Sequence, residues 1–183
     1  NAGPIGGIWK CNLGVCNNLK PGSETGSVQA LAIDPQNAQV LYAGTLSNGI
    51  YRSSNGGNTW TQINTGLNAN HLNIKALIVD PAHPSHVYAG VARSNDAQVY
   101  FSSDGGGNWS LASTNLPTSS LSSISSLAIY NPTSPADALV YAGTSGGGVF
   151  KTTGGSLANI NWQPINNGLP TFGGLVFLAI VDV

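Results

Sequence analysis

Three groups of residues in this chain have types and spacings that chemistry could use: carboxylates, a histidine pair and a cysteine pair. The carboxylates are Glu24, Asp34, Asp80, Asp96, Asp104, Asp137 and Asp182. Glycoside hydrolysis needs two such groups facing each other across a cleft. Asp34, Asp80 and Asp182 instead recur at one position of a repeated phrase, and Asp104 lies in a Gly-rich turn. Carboxylates in those settings hold turns together. Glu24 and Asp96 fall in irregular loops and Asp137 in a surface turn, and nothing in their spacing pairs them. His83 and His86 form a His-x-x-His line, a spacing that metals use. No third ligand accompanies them, so two surface-turn residues are expected. No Gly-x-Ser-x-Gly elbow is present, and Ser145-Gly146-Gly147-Gly148 lacks the Lys-Ser/Thr of a phosphate loop and reads as a hairpin turn. No catalytic residue, metal ligand or cofactor site is therefore assigned.

The composition points the same way. Charged residues make up 7% of 183, far below the roughly 25% usual for soluble proteins. The six basic residues (Lys10, Lys20, Arg52, Lys75, Arg93 and Lys151) are scattered and the net charge is -1, so no footprint for nucleic acid or an anionic membrane exists. Apolar runs such as Leu175 to Val181 are too short to span a bilayer as a helix. There is no signal peptide and no Met, which suggests a processed product or an excised segment. Scarce Lys, abundant Asn and the close cysteine pair favour an extracellular, cell-surface or periplasmic location.

Internal repeats supply the elements that position these residues. Val28-Gln29-Ala30-Leu31-Ala32-Ile33-Asp34-Pro35 returns as Ile74 to Pro81, then as Ile124 to Pro132, and begins again at Val176. Leu31, Leu77, Leu127 and Leu178 mark periods of 46, 50 and 51 residues. After each of the first three comes a Tyr-Ala-Gly run, at Tyr42, Tyr88 and Tyr141. Next come Gly49 to Ser53, with copies at Val99 to Ser103 and Val149 to Thr153, and then a tryptophan. Each period thus carries four strand signals. The first is a near-continuous apolar run, expected to be buried on both faces; the last begins at the tryptophan and alternates polar with apolar residues. Small residues in the second strand suit a close approach of neighbouring backbones.

Four antiparallel strands in each period, innermost most apolar, predict an all-β fold: a partial β-propeller of four-stranded blades. Each blade relies on its neighbours to cover its faces. The expected divisions are 1–27, the outer half of a blade; 28–73, 74–123 and 124–174, three blades; and 175–183, one inner strand. Gly6 to Cys11 matches the third-strand line Asn48 to Ser53, which places Cys11 and Cys16 where the repeated turn would be. A disulfide can staple that hairpin; buried free thiols are the alternative. Such a chain would not close a ring alone, and it is expected to be a piece of a larger propeller or to be completed by another chain.

The line Ser53-x-Asn55-x-Gly57-x-Thr59-Trp60 resembles the Asp-box, or bacterial neuraminidase repeat, Ser-x-Asp-x-Gly-x-Thr-Trp. Ser102, Asp104, Gly106 and Trp109 form a second copy; in the third, Gly154 replaces the acidic residue and the tryptophan is delayed to Trp162. With Asp-Pro, Tyr-Ala-Gly-Thr and Gly-Leu-Pro, nearly the whole chain looks like the secreted Asp-box propellers. That group includes sialidases, xyloglucan-cleaving hydrolases, sortilin-type receptors and photosystem II assembly factors. In the box a carboxylate or amide accepts hydrogen bonds from its own turn, glycine allows a backbone conformation others avoid, and the tryptophan packs back across the hairpin. The sialidases of the group hold the substrate carboxylate with three arginines; only Arg52 and Arg93 are present here.

Asn108-Trp109-Ser110 is a formal N-glycosylation acceptor, but its position inside the box argues against occupancy, and Ser113 to Ser126 offers hydroxyls for O-linked sugars or is simply a solvated loop. The expected function is a non-catalytic extracellular scaffold for a protein or neutral glycan partner. The alternatives are a fragment of a xyloglucanase-like hydrolase and a component that self-assembles by completing blades between copies.

Overall fold

The computed structural model describes residues 8–12, 15–19, 27–92, 96–118, 123–130, 138–152 and 160–169. The side chains of 12 and 15–17 are not among them. Every element in the described residues is a strand. A hairpin of β1 (Trp9–Asn12) and β2 (Val15–Asn18) precedes three four-stranded antiparallel sheets. The first holds β3 (Val28–Ile33), β4 (Leu41–Thr45), β5 (Ile50–Ser53) and β6 (Thr61–Gln62) in sequential order. The second holds β7 (Ile74–Val79), β8 (Val87–Val91), β9 (Gln98–Ser102) and β10 (Ser110–Leu111). The third holds β11 (Ile124–Tyr130), β12 (Leu139–Thr144), β13 (Gly148–Thr152) and β14 (Trp162–Pro164). The fourth inner strand expected from Val176 lies outside the described residues, as do Glu24, Arg93, Asp137, Gly154 and Asp182.

The sheets stack side by side, β3 against β7 and β7 against β11. Glycine makes the approach possible. A Cβ on Gly44 in β4 would lie 2.6 Å from Cγ2 of Ile74, the first residue of the next sheet, and one on Gly90 in β8 would collide with Cγ2 of Ile124. Ile74 and Ile124 are wholly buried, each seated on the glycine of the preceding sheet. The Tyr-Ala-Gly run thus serves close packing between sheets, as its small residues suggest.

The innermost strands correct one expectation. They are not buried on both faces: Leu31 and Ile33 are 46% and 50% exposed. With Leu77, Leu127, Ile129, Pro35 and Pro81 they line an open groove of about 350 Å³. The side chains of these strands point to where the sheets converge, and no further layer covers them there among the described residues.

The outermost strands also differ from expectation. β6 and β10 are two residues long, begin one residue after the tryptophan and are exposed, while β14 begins at the tryptophan itself. Each is followed by the same bond back to the third strand: Ile63 N–H to Ile50 O, Ala112 N–H to Val99 O, and Ile165 N–H to Val149 O. Leu19 N–H reaches Ile8 O in the same way, so the N-terminal hairpin repeats the outer pair of a sheet.

Candidate functional site

The Gly-rich turns follow one bonding scheme. The Ser53 hydroxyl donates to Asn55 Oδ1 at 3.0 Å and accepts from the Gly57 amide at 2.9 Å; Asn55 Oδ1 in turn accepts from the Thr59 amide at 2.9 Å. In the next sheet Ser102 donates to Asp104 Oδ1 at 2.7 Å and accepts from Gly106 N–H at 2.8 Å, and Asp104 Oδ1 accepts from Asn108 N–H at 2.9 Å. Gly57 and Gly106 have φ of 91° and 92°, a region costly for residues bearing a Cβ. The Asn108 amide, and then the Ser102 hydroxyl, hold the Asp104 carboxyl below its ordinary range. Asn108 also donates from its side chain to Asp104 Oδ2.

The tryptophans do more than pack across their own hairpins. Trp109 lies over Gly106, yet its indole N–H donates at 2.7 Å to the carbonyl of Ile63 in the preceding sheet. Trp162 donates likewise at 2.7 Å to Ala112 O, and both rings are buried. The indole N–H is the only polar atom of the ring, and once buried it needs an acceptor. Each tryptophan therefore ties its sheet to the one before it. Trp60 is the exception: its Nε1 is buried and meets no acceptor among the described residues.

A further set of residues escaped the sequence reading. Four positions after each tryptophan, Asn64, Ser113 and Asn166 reach back to the third strand. Asn64 Oδ1 accepts from Ile50 N–H at 2.8 Å, Ser113 Oγ from Val99 N–H at 2.8 Å and Asn166 Oδ1 from Val149 N–H at 2.7 Å. The constant spacing from the tryptophan was the available signal.

Each described carboxylate is engaged close to its own backbone position. Asp34 Oδ1 accepts from the amides of Gln36 and Asn37, and Asp80 Oδ1 from those of Ala82 and His83. Asp104 serves its turn, and Asp96 accepts from the Gln98 side chain. Arg52 stacks over the Tyr42 ring, 5.9 Å from its centroid, and its Nε is buried. Cys11 stands directly opposite Cys16 in the register of β1 and β2, though the Cys16 side chain lies outside the described residues.

The histidine pair is placed differently from expectation. Asp34 N–H bonds Val40 O and Asp80 N–H bonds His86 O, so His86 is the counterpart of Val40, and His83 corresponds to Asn37. The rings stack with centroids 4.9 Å apart, and His86 packs edge-on against Phe101. Both turn Nδ1 toward Asp80 Oδ2, at 3.5 and 3.7 Å. Burial, and then the neighbouring His83, push His86 below its ordinary value against the pull of Asp80, which favours its neutral ring. This third group is hidden in the sequence, where Asp80 reads only as a turn residue.

Side-by-side four-stranded sheets, each locked to the last by a glycine, an isoleucine and an indole N–H, define a β-propeller segment. The chain belongs to the DUF6242 beta propeller domain family, whose model matches residues 23–169. It is also similar to a xyloglucanase of Hypocrea jecorina, 35% identical over 111 residues. That match covers 55% of this chain and 13% of the relative. A probable oligoxyloglucan-reducing end-specific xyloglucanase of Neosartorya fischeri is 32% identical over 83 residues, covering 44% of this chain and 10% of that protein. The chain thus spans only about a tenth of the curated relatives it matches. Among solved structures, the GH74 enzyme of Niastella koreensis aligns with a TM-score of 0.65 at 23% identity, over 85% of this chain and 25% of that one. YCF48 bound to D1 peptide aligns at 0.56 and 14%, over 79% and 42%. At these identities the structural matches speak for the fold alone.

Proposed function

We propose that the chain is a non-catalytic segment of an extracellular β-propeller that binds a neutral polysaccharide. The observation that carries this reading is the engagement of the four described carboxylates, Asp34, Asp80, Asp96 and Asp104, in contacts close to their own positions. None of them lines the open groove along the inner strands, where every lining side chain is apolar. A net charge of -1 with scattered cations gives a polyanion no purchase. Trp9 and Tyr130, 60% and 57% exposed, offer ring faces of the kind sugars stack on. Polysaccharide is preferred to a protein partner because curated relatives above 30% identity are named xyloglucanases.

On this reading the Ser53 and Ser102 turns are Asp-boxes that pin outer edges, and residues 1–27 form the outer half of a blade. The register that sets Cys11 opposite Cys16 supports a disulfide there, since facing Cβ atoms in a sheet lie about 4.5–5.5 Å apart and need only a small adjustment to bridge. The experiment is affinity electrophoresis. Gels containing xyloglucan should retard the chain and gels containing polygalacturonate should not; equal mobility in both overturns the reading.

A second reading, a fragment of a hydrolase whose acidic pair lies in further blades, is favoured by the same relatives. It differs in requiring a longer chain containing these residues to cut the polysaccharide. Self-association is suggested by β1, which pairs with β2 alone among the described strands. Sedimentation as a monomer at all concentrations would remove it.

A further inference from the structure

The turn between β7 and β8 carries something the fold does not need. In the first sheet the same turn forms with Asn37 and Val40 in place of the histidines, closed by the same aspartate and the same two backbone bonds. His83 and His86 are therefore additions to a turn already complete without them.

Their geometry is unusual for residues with no task. His83 Nδ1 and His86 Nδ1 are both buried, and neither has a hydrogen-bond partner among the described residues. A buried polar atom left unpaired costs about 1–3 kcal/mol. Both face Asp80 Oδ2, at 3.5 and 3.7 Å, distances long for a hydrogen bond. A tetrahedral zinc ion with bonds of about 2.0–2.2 Å separates its ligand atoms by roughly 3.3–3.6 Å. The observed spacings suit a shared cation better than a direct bond, and the ligand atoms of all three residues lie within 4.8 Å of one another.

We propose that Asp80, His83 and His86 form a binding site for a zinc-class divalent cation, with two Nδ1 atoms and one carboxylate oxygen as ligands. The carboxylate is 1% exposed and is oriented through Oδ1 by the amides of Ala82 and His83, which presents Oδ2 to the two rings. Held outer-shell bonds of that kind fix a ligand's direction. The Phe101 ring against His86 limits that imidazole's rotation. Three protein ligands leave a fourth position of a tetrahedral ion to be filled by water or by a donor from a bound molecule. Two imidazoles and one carboxylate select zinc and its neighbours over calcium or magnesium, which prefer all-oxygen sites.

The test is titration of the tag-free chain, cysteines alkylated if reduced, with zinc chloride alone by calorimetry. One saturable site per chain is expected. His83→Asn and His86→Val install what the first sheet carries at the same places, so the turn has a template for folding. Loss of an outer-shell partner already costs about 10–100-fold in metal affinity, so each variant should weaken zinc by more than about 100-fold. Cobalt(II) added to the unaltered chain supplies a reading independent of any variant: the intense visible band of four-coordinate cobalt is expected. Absence of saturable zinc binding, unchanged affinity in both folded variants, or only the faint band of hydrated cobalt would each overturn the assignment.

Discussion

Trp109→Phe and Trp60→Phe should have unequal consequences, although sequence places the two residues at the same position of a repeat. In the folded chain Trp109 is 3% exposed and gives its N–H to Ile63 O at 2.7 Å. Phenylalanine keeps an aromatic ring but strands that carbonyl, at about 1–3 kcal/mol. The smaller ring leaves roughly 40 Å³ unfilled, which at ~24 cal/mol per Å³ adds about 1 kcal/mol. The expected loss is therefore about 2–4 kcal/mol. Trp60 has the same ring, but its buried N–H meets no acceptor. Removing an unsatisfied donor relieves a penalty that offsets the lost packing, so Trp60→Phe should lie within about 1 kcal/mol of the parent. Urea unfolding followed by far-ultraviolet circular dichroism measures both, since indole fluorescence would change with the substitution itself. Equal losses, or a Trp109 variant as stable as the parent, would refute the argument that the indole bond joins neighbouring sheets.

Gly90→Ala should destabilise by about 1–3 kcal/mol, because its Cβ collides with Ile124 Cγ2; thermal unfolding of the variant checks this. Asn64→Ala should cost about 1–3 kcal/mol by leaving the Ile50 amide without its acceptor, and Asn166→Ala should show a comparable loss at Val149. Asp104 binds its proton less readily folded than unfolded, so its contribution is present above the ordinary carboxylate value and fades as pH falls through the lowered one. Asp104→Asn should therefore flatten part of the acid limb of a stability–pH curve; parallel curves for parent and variant would contradict this.

The sequence revealed most about what lies within one sheet. Strand identity, order and the hairpin at Ser145 to Gly148 were legible because apolar runs, Tyr-Ala-Gly and the tryptophan repeat in step. Contacts between sheets were harder to read. Trp109 and Ile63 are 46 positions apart, Trp162 and Ala112 50, and a backbone carbonyl leaves no mark in the residue types. Burial of the inner strands was overestimated because an apolar run does not reveal whether a neighbour covers it, and Leu31 and Ile33 face an open groove. Which residues of the first sheet match the histidines is not legible from residue types, since only the bonds of Asp34 and Asp80 across their turns set His86 against Val40. Asp80 itself was in plain view, but its turn-holding role in the repeat concealed the oxygen it turns toward the two rings.

We propose that the chain holds a neutral polysaccharide without cutting it. The decisive experiment incubates the chain at a concentration that retards it in xyloglucan gels and follows new reducing ends over time. Retention with no reducing ends above the polysaccharide blank is expected. Reducing ends that rise in proportion to the amount of chain would contradict it.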